Sequence, residues 1–133
     1  MLGRPASILG TVVAGDKRGR QLGFPTANLR LHHELSPPRG VYACMIKING
    51  GDDLLAGAVN LGIRPSFDNT EPSIEVHLID FDSDLYGKTL EVFFLEKLRD
   101  ERKFDGVDDL RRQITLDVSS AKLVCAQFIS SKS

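Results

Sequence analysis

The sequence predicts an all-β fold that ends in a helix: six short strands in a small antiparallel barrel or sandwich, covered by one amphipathic helix. Three observations point there. As far as Phe104, apolar residues come in short runs or alternate with polar ones, and clusters of Gly, Pro, Asn and Asp separate them. Beyond Phe104 the apolar spacing becomes helical. Strands and helices do not alternate, which disfavours a Rossmann or P-loop fold. At 133 residues the chain makes one domain, 1–133, large enough to bury a real core.

The first strand is "SILGTVV", β-branched at its end, and the second is the alternating "NLRL". "GVYACMIKI" is largely apolar on both faces, which predicts a central strand. It runs into "NGGDD", a strong hairpin signal. "LLAGAVNLG" follows, with Gly57 as a bulge or a close backbone contact. "SIEVHLIDF" puts Ile74, Val76 and Leu78 on one face and Glu75 and His77 on the other. "DSDLYGK" is a turn, and "LEVFFLEKL" is the last strand. The helix, about 106–129, carries Leu110, Ile114, Val118 and Ala121 at helical spacing. Asp105 is placed to cap it, and Asp108 and Asp109 suit the positive end of its dipole. The terminal "SSKS" reads as a frayed end.

Composition narrows the function. A formal net charge of -1 gives no global field toward nucleic acid or an acidic membrane. Trp is absent and aromatics are sparse, against an OB-type nucleic-acid barrel, which wants a basic groove with exposed aromatics. No apolar run is long enough to span a bilayer, and "MLGRPASILG" has no long apolar segment of a signal peptide. Cys44 and Cys125 are far apart in sequence, which predicts two reduced, buried thiols in a cytoplasmic protein.

Four segments could carry chemistry. In "GDKRGRQLG", Gly15, Gly19 and Gly23 let backbone N–H groups approach an anion, and Lys17, Arg18 and Arg20 supply positive charge. The alternative is a solvated basic loop. In "GFPTAN", Thr26 and Asn28 are two apart, so an extended chain turns both to one face as neutral oxygen ligands. That suits Mg²⁺, which takes few protein ligands and fills its shell with phosphates and water. The alternative is a turn entering a strand. Glu75 sits within an apolar strand and faces away from the core set, where a rigidly held carboxylate can act as a general base with His77 beside it. The alternative is a solvated outer-face glutamate. In "LRDERKF", Arg99, Arg102 and Phe104 could hold a planar polar ligand. The alternative is a salt-bridged loop with Phe104 as a core plug.

In combination, "GDKRGRQLGFPTANL", "GVYACMIKI", "NLGIRPSFD", "IEVHLIDFDSDLYGK" and "LRDERKFDGVDDL" occur in this order with short gaps. Together they resemble the riboflavin kinase domain, most closely the C-terminal kinase module of bacterial bifunctional riboflavin kinase/FAD synthetases. The likeness runs from about Leu2 to Phe128. It implies a six-stranded antiparallel Greek-key barrel with a C-terminal helix. It implies transfer of the γ-phosphate of ATP to the 5′-hydroxyl of riboflavin, giving FMN and ADP. By that resemblance Thr26 and Asn28 hold Mg²⁺ and the ATP phosphates, and Gly15 and Arg20 belong to the loop over the nucleotide. Leu78, Asp80 and Tyr86 line the ATP side, Glu75 is the base, and Arg99, Arg102 and Phe104 cover the flavin. Nothing in the chain resembles the HxGH-type adenylyltransferase domain of the bifunctional enzymes. The expectation is therefore a stand-alone kinase or one module of a parent protein with a linked FMN adenylyltransferase domain, and no FAD synthesis by this chain alone. A non-catalytic flavin- or nucleotide-binding barrel is the rival reading.

Overall fold

Period-two alternation sorts the side chains of each strand into two sets. On "SIEVHL" the apolar set is Ile74, Val76 and Leu78; on "AVNL" it is Val59 and Leu61; on "LEVF" it is Leu90, Val92 and Phe94. One face of such a sheet must be covered, and here the sheet covers itself by closing. The structure, a computed structural model, describes residues 6–15, 26–31, 38–49, 51, 54–65, 70–79, 85–102 and 104–132. They form β1 (Ala6–Gly15), β2 (Thr26–Leu31), β3 (Gly40–Ile48), β4 (Leu55–Pro65), β5 (Thr70–Leu78), β6 (Thr89–Arg99) and α1 (Val107–Lys132).

The strands close into a barrel in the order β1-β2-β5-β4-β3-β6, and every pairing is antiparallel. β3, β4 and β5 run as a meander, and β6 returns beside β3. The spatial order β6-β3-β4-β5 is a Greek key. Ile8, Val12, Leu29, Tyr42, Cys44, Ile46 and the sets named above fill the interior. The Tyr42 and Phe94 rings meet edge to face at 5.1 Å, and the Tyr42 hydroxyl donates to the Pro38 carbonyl at 2.6 Å.

The expected hairpin after β3 is present. The Gly51 N–H donates to the Ile48 carbonyl at 3.0 Å, and Asn49 turns the chain at φ 52°. The Asn49 side chain also accepts from the Thr89 N–H, which pins the start of β6. Gly57 is a close approach. A Cβ there would lie 2.6 Å from Ile46 Cδ1 and 3.0 Å from the His77 carbonyl oxygen.

β3 is central, with Gly40 to Ile46 all buried. Its outward set lies beneath α1. Ala43 and Ala58 give the helix a flat seat, and Ala121 packs into it with Leu98, Ile79 and Val124 around the contact. The Cys125 thiol donates to the Cys44 carbonyl at 3.3 Å, and both thiols are free and buried.

Two details of the helix differ from expectation. Its first i→i+4 bond runs from the Leu110 N–H to the Gly106 carbonyl, so Gly106 rather than Asp105 is the N-cap. The helix also continues through Ser130 and Ser131 to Lys132, three residues past the expected end at 129, where Ser131 Oγ bonds back to the Phe128 carbonyl.

Candidate active site

A single register row crosses the outer wall of the barrel. Asn28 on β2 pairs with Glu75 on β5, which pairs with Asn60 on β4. Directly opposed antiparallel residues point to the same face with Cβ atoms about 4.5–5.5 Å apart. Leu29, Ile74, Val76 and Leu61 fill the barrel, so Asn28, Glu75 and Asn60 face outward, each half-buried. A carboxylate thus stands between two side-chain amides on rigid strands. Asn60 pairs on its other side with Val41, and Val41 with Arg99.

Two residues on toward the β5 C-terminus, Thr26, His77 and Ala58 stand in register. β2 begins at this row and β5 ends one residue further on. Gly15 closes β1 opposite Ala27, after a register shift between Val12 and Ala14. Such a bulge bends the strand end. The turn carrying Tyr86 is tied to the same place: the Gly87 N–H donates to the Val12 carbonyl, and the Val12 N–H to the Lys88 carbonyl, each at 2.9 Å. Tyr86 itself is exposed. Leu78 points into the core, so from here it offers a ligand main chain rather than side chain. Gly15, Thr26, Leu78 and Tyr86 therefore share one end of the barrel. Arg20 and Asp80 lie outside the described residues.

The other end carries Arg99, Arg102 and Phe104. Two register shifts between β3 and β6 break the alternation of β6 after Phe94. They leave Leu98 and Arg99 both reaching the layer under α1. Arg99 donates from Nε and Nη2 to the two carboxylate oxygens of Asp117, each at 2.8 Å, and Gln113 donates to the same carboxylate at 3.0 Å. Arg99 Nη1 donates to the Asp100 carbonyl at 3.0 Å. The Arg102 guanidinium lies 4.7 Å from the Phe104 ring centre and Arg99 lies 5.7 Å from it. Lys97 bonds the exposed Asp100 carboxylate at 2.6 Å, which holds that carboxyl below its usual range and raises the Lys97 amine.

β6 and β5 are three strands apart in the row, about 14 Å around the wall. The segment after β6 shortens that gap. The Glu101 carboxylate sits where a Cβ on Gly62 would be, so it lies on β4. Gly62 is opposite Ser73, two residues from Glu75. The missing Cβ at Gly62 lets this segment cross to within a strand of the carboxylate.

Asn60 was not among the sequence candidates. Its Oδ1 is buried and, among the described residues, has no hydrogen-bond partner. The signal was available: "AVNLG" holds one amide in an apolar strand at the outward parity. Asp117 also lies outside the sequence candidates: an isolated acidic residue within a helix carries no signal of burial. No group of three or more His, Cys, Asp and Glu able to hold a metal occurs among the described residues. The neutral amide of Asn28 beside the Glu75 carboxylate fits an ion that completes its shell with substrate phosphates, as Mg²⁺ does.

The fold is a closed antiparallel β-barrel whose candidate site lies on the outer wall, between the Gly15–Tyr86 end and the Arg99–Phe104 segment. The riboflavin kinase (flavokinase) family matches residues 2–125, and the chain belongs to that family. It is 45% identical over 122 residues to a bifunctional riboflavin kinase/FMN adenylyltransferase of Haemophilus influenzae, covering 92% of this chain and 39% of that protein. It is 42% identical over 125 residues to the Bacillus subtilis protein of the same name, covering 91% of this chain and 39% of the relative. The chain thus spans about two fifths of the length of these relatives. A solved structure of a protein named macrolide-efflux protein from Streptococcus pneumoniae superposes with a TM-score of 0.83 at 38% identity, over 91% of this chain and 40% of that one. Among the described residues, no helix is long and apolar enough to cross a membrane.

Proposed function

We propose that this chain transfers the γ-phosphate of ATP to the 5′-hydroxyl of riboflavin, giving FMN and ADP. The observation that carries the reading is Glu75, held in register between Asn28 and Asn60 on the outer wall. One barrel end beside it gathers Gly15, Thr26 and the Tyr86 turn for the nucleotide. The segment from Arg99 to Phe104 comes from the other end for the flavin.

Phosphoryl transfer asks the protein mainly for alignment and charge stabilisation. Glu75 accepts the proton of the 5′-hydroxyl as its oxygen attacks the γ-phosphorus. The bond to the β,γ-bridging oxygen breaks, and ADP leaves with that electron pair. Glu75 sits on a strand paired on both sides, so its carboxylate is aimed before the substrate arrives. Thr26 and Asn28 would hold Mg²⁺, which when bound neutralises phosphate charge. Gly15 and Arg20 close over the nucleotide, Leu78, Asp80 and Tyr86 line its side, and Arg102 and Phe104 stack against the isoalloxazine ring.

FMN formation from riboflavin and Mg·ATP by the purified chain, resolved by chromatography, tests the proposal. Absence of FMN, with riboflavin still bound, would favour the non-catalytic flavin-binding barrel. Thr26→Ala is expected to weaken Mg·ATP binding and raise the magnesium requirement; an unchanged requirement removes Thr26 from the metal. FMN adenylylation is named for the relatives. We infer that it belongs to a linked domain in the parent protein and that FAD does not form with this chain alone. Conversion of FMN to FAD by the purified chain would refute that.

A further inference from the structure

Asp117 is the one charged side chain buried among the described residues, 7% exposed. Its partner Arg99 meets it as a fork, with a third bond from Gln113. Taking two charges out of water is expensive, and a buried ion pair is often no more stabilising than apolar residues of the same volume. Anchoring of α1 does not require it: Ile114, Ala121 and Cys125 already bury the helix face. What apolar residues could not supply is orientation. A guanidinium has five N–H donors in one plane. Two go to Asp117 and one to the Asp100 carbonyl, so the plane is fixed and five less three leaves two. The bond to the Asp100 carbonyl sits at the first residue after β6. From there Glu101 crosses onto Gly62, and Arg102 stacks on Phe104.

We propose that Asp117 is a positioning residue for riboflavin: through Arg99 it sets the path of Asp100, Glu101 and Arg102 and thereby the Arg102–Phe104 platform. The proposal rests on the riboflavin kinase reading. Arg99 then acts chiefly through the backbone it holds, and Arg102 is the cation that faces the ring. Gln113 steadies the carboxylate from one helical turn away.

Asp117→Asn tests it. The amide keeps the shape but offers one acceptor and one donor, so it cannot satisfy both guanidinium N–H groups. Riboflavin binding is read from flavin fluorescence, without tryptophan interference because the chain has none. The dissociation constant and KM for riboflavin should rise about tenfold, the equivalent of one charge-assisted hydrogen bond. KM for ATP and kcat at saturation should stay within about twofold, and Asp117→Glu should recover part of the loss. A folded Asp117→Asn with unchanged riboflavin affinity overturns the proposal. So does an equal rise in both KM values, which marks a plain structural tether. If Asp117→Asn does not fold, Gln113→Met carries the test, because it removes only the third bond. A rise of about twofold to threefold for riboflavin alone supports the proposal, and no change refutes it. Wild-type chain that binds riboflavin but makes no FMN would sink the kinase reading, while the binding comparison would still decide the role of Asp117.

Discussion

Glu75 lies where strand alternation places a solvent-facing residue, and its register partners make that position chemical. The Glu75 carboxylate is flanked in register by two neutral amides, Asn28 and Asn60. Glu75→Gln keeps the shape but cannot accept a proton. Turnover should fall by about 10²-fold or more, with flavin and Mg·ADP affinities largely kept. Near-wild-type turnover would remove Glu75 from the role of base. Asn60 makes a different prediction. A buried acceptor without a donor costs about 1–3 kcal/mol, and the Oδ1 of Asn60 is such an acceptor among the described residues. Asn60→Leu, close in volume and without the polar atoms, should hold or raise the melting temperature while lowering kcat/KM. A lower melting temperature would show that the amide serves the fold. The outward place of Glu75 was legible in the sequence, because a carboxylate clashes with the apolar set of its strand. Asn60 carried the same clash, but its place opposite Glu75 depends on β4–β5 pairing, which periodicity does not give.

Elements were legible where one period dominates. β5 alternates cleanly, and the structure follows it residue by residue. β3 was readable as central because apolar residues on both faces need cover on both, which the barrel and α1 provide. β6 was readable only in part. "LEVF" alternates, but the register shifts beyond Phe94 turn its end toward α1, and nothing in "LEKLR" announces them. The same limit hid Asp117, since helical spacing marks apolar positions and a paired buried charge breaks the pattern. Gly57 shows the reverse, a position whose meaning was stated in the sequence and then located. A Cβ there meets Ile46 inside the barrel and the His77 carbonyl oxygen on the neighbouring strand. A side chain can shift, but a paired backbone cannot. Gly57→Ala should therefore destabilise the chain by about 1–3 kcal/mol, seen as a lower denaturation midpoint. Because His77 is two residues from Glu75 on β5, kcat should fall as well. Wild-type stability in this variant would mean that the β4–β5 spacing relaxes freely.

At the scale of the whole molecule, strand count and the covering helix could be read from alternation and spacing, whereas closure into a barrel came only from the family resemblance. Barrel and sandwich share the same alternation. They differ in which distant strands pair, here β1 with β6 and β2 with β5, and those contacts leave no periodic trace. The layer contact between barrel and helix is where the two halves of the sequence meet, and the two thiols mark it. Cys44 points into the barrel while its carbonyl, on the wall, accepts from Cys125 of α1. Burial pushes both thiols above their ordinary value, Cys44 furthest, with Cys125 nearby adding to its shift. A raised value in the folded state means that the fold holds these protons more tightly than the unfolded chain does. Their contribution to stability is then complete below the unfolded thiol value, about pH 8.5, and is lost as pH rises from there through the folded values. Two measurements follow from that sign. In native protein at about pH 8 a thiol-specific reagent should label neither cysteine, and in denaturant it should label both. The urea midpoint should also fall between about pH 8 and pH 10, and fall less in a Cys44→Ala/Cys125→Ala chain. Rapid labelling of the native protein, or equal slopes in the two chains, would mean that the barrel–helix interface opens and that α1 does not seal the wall behind the site.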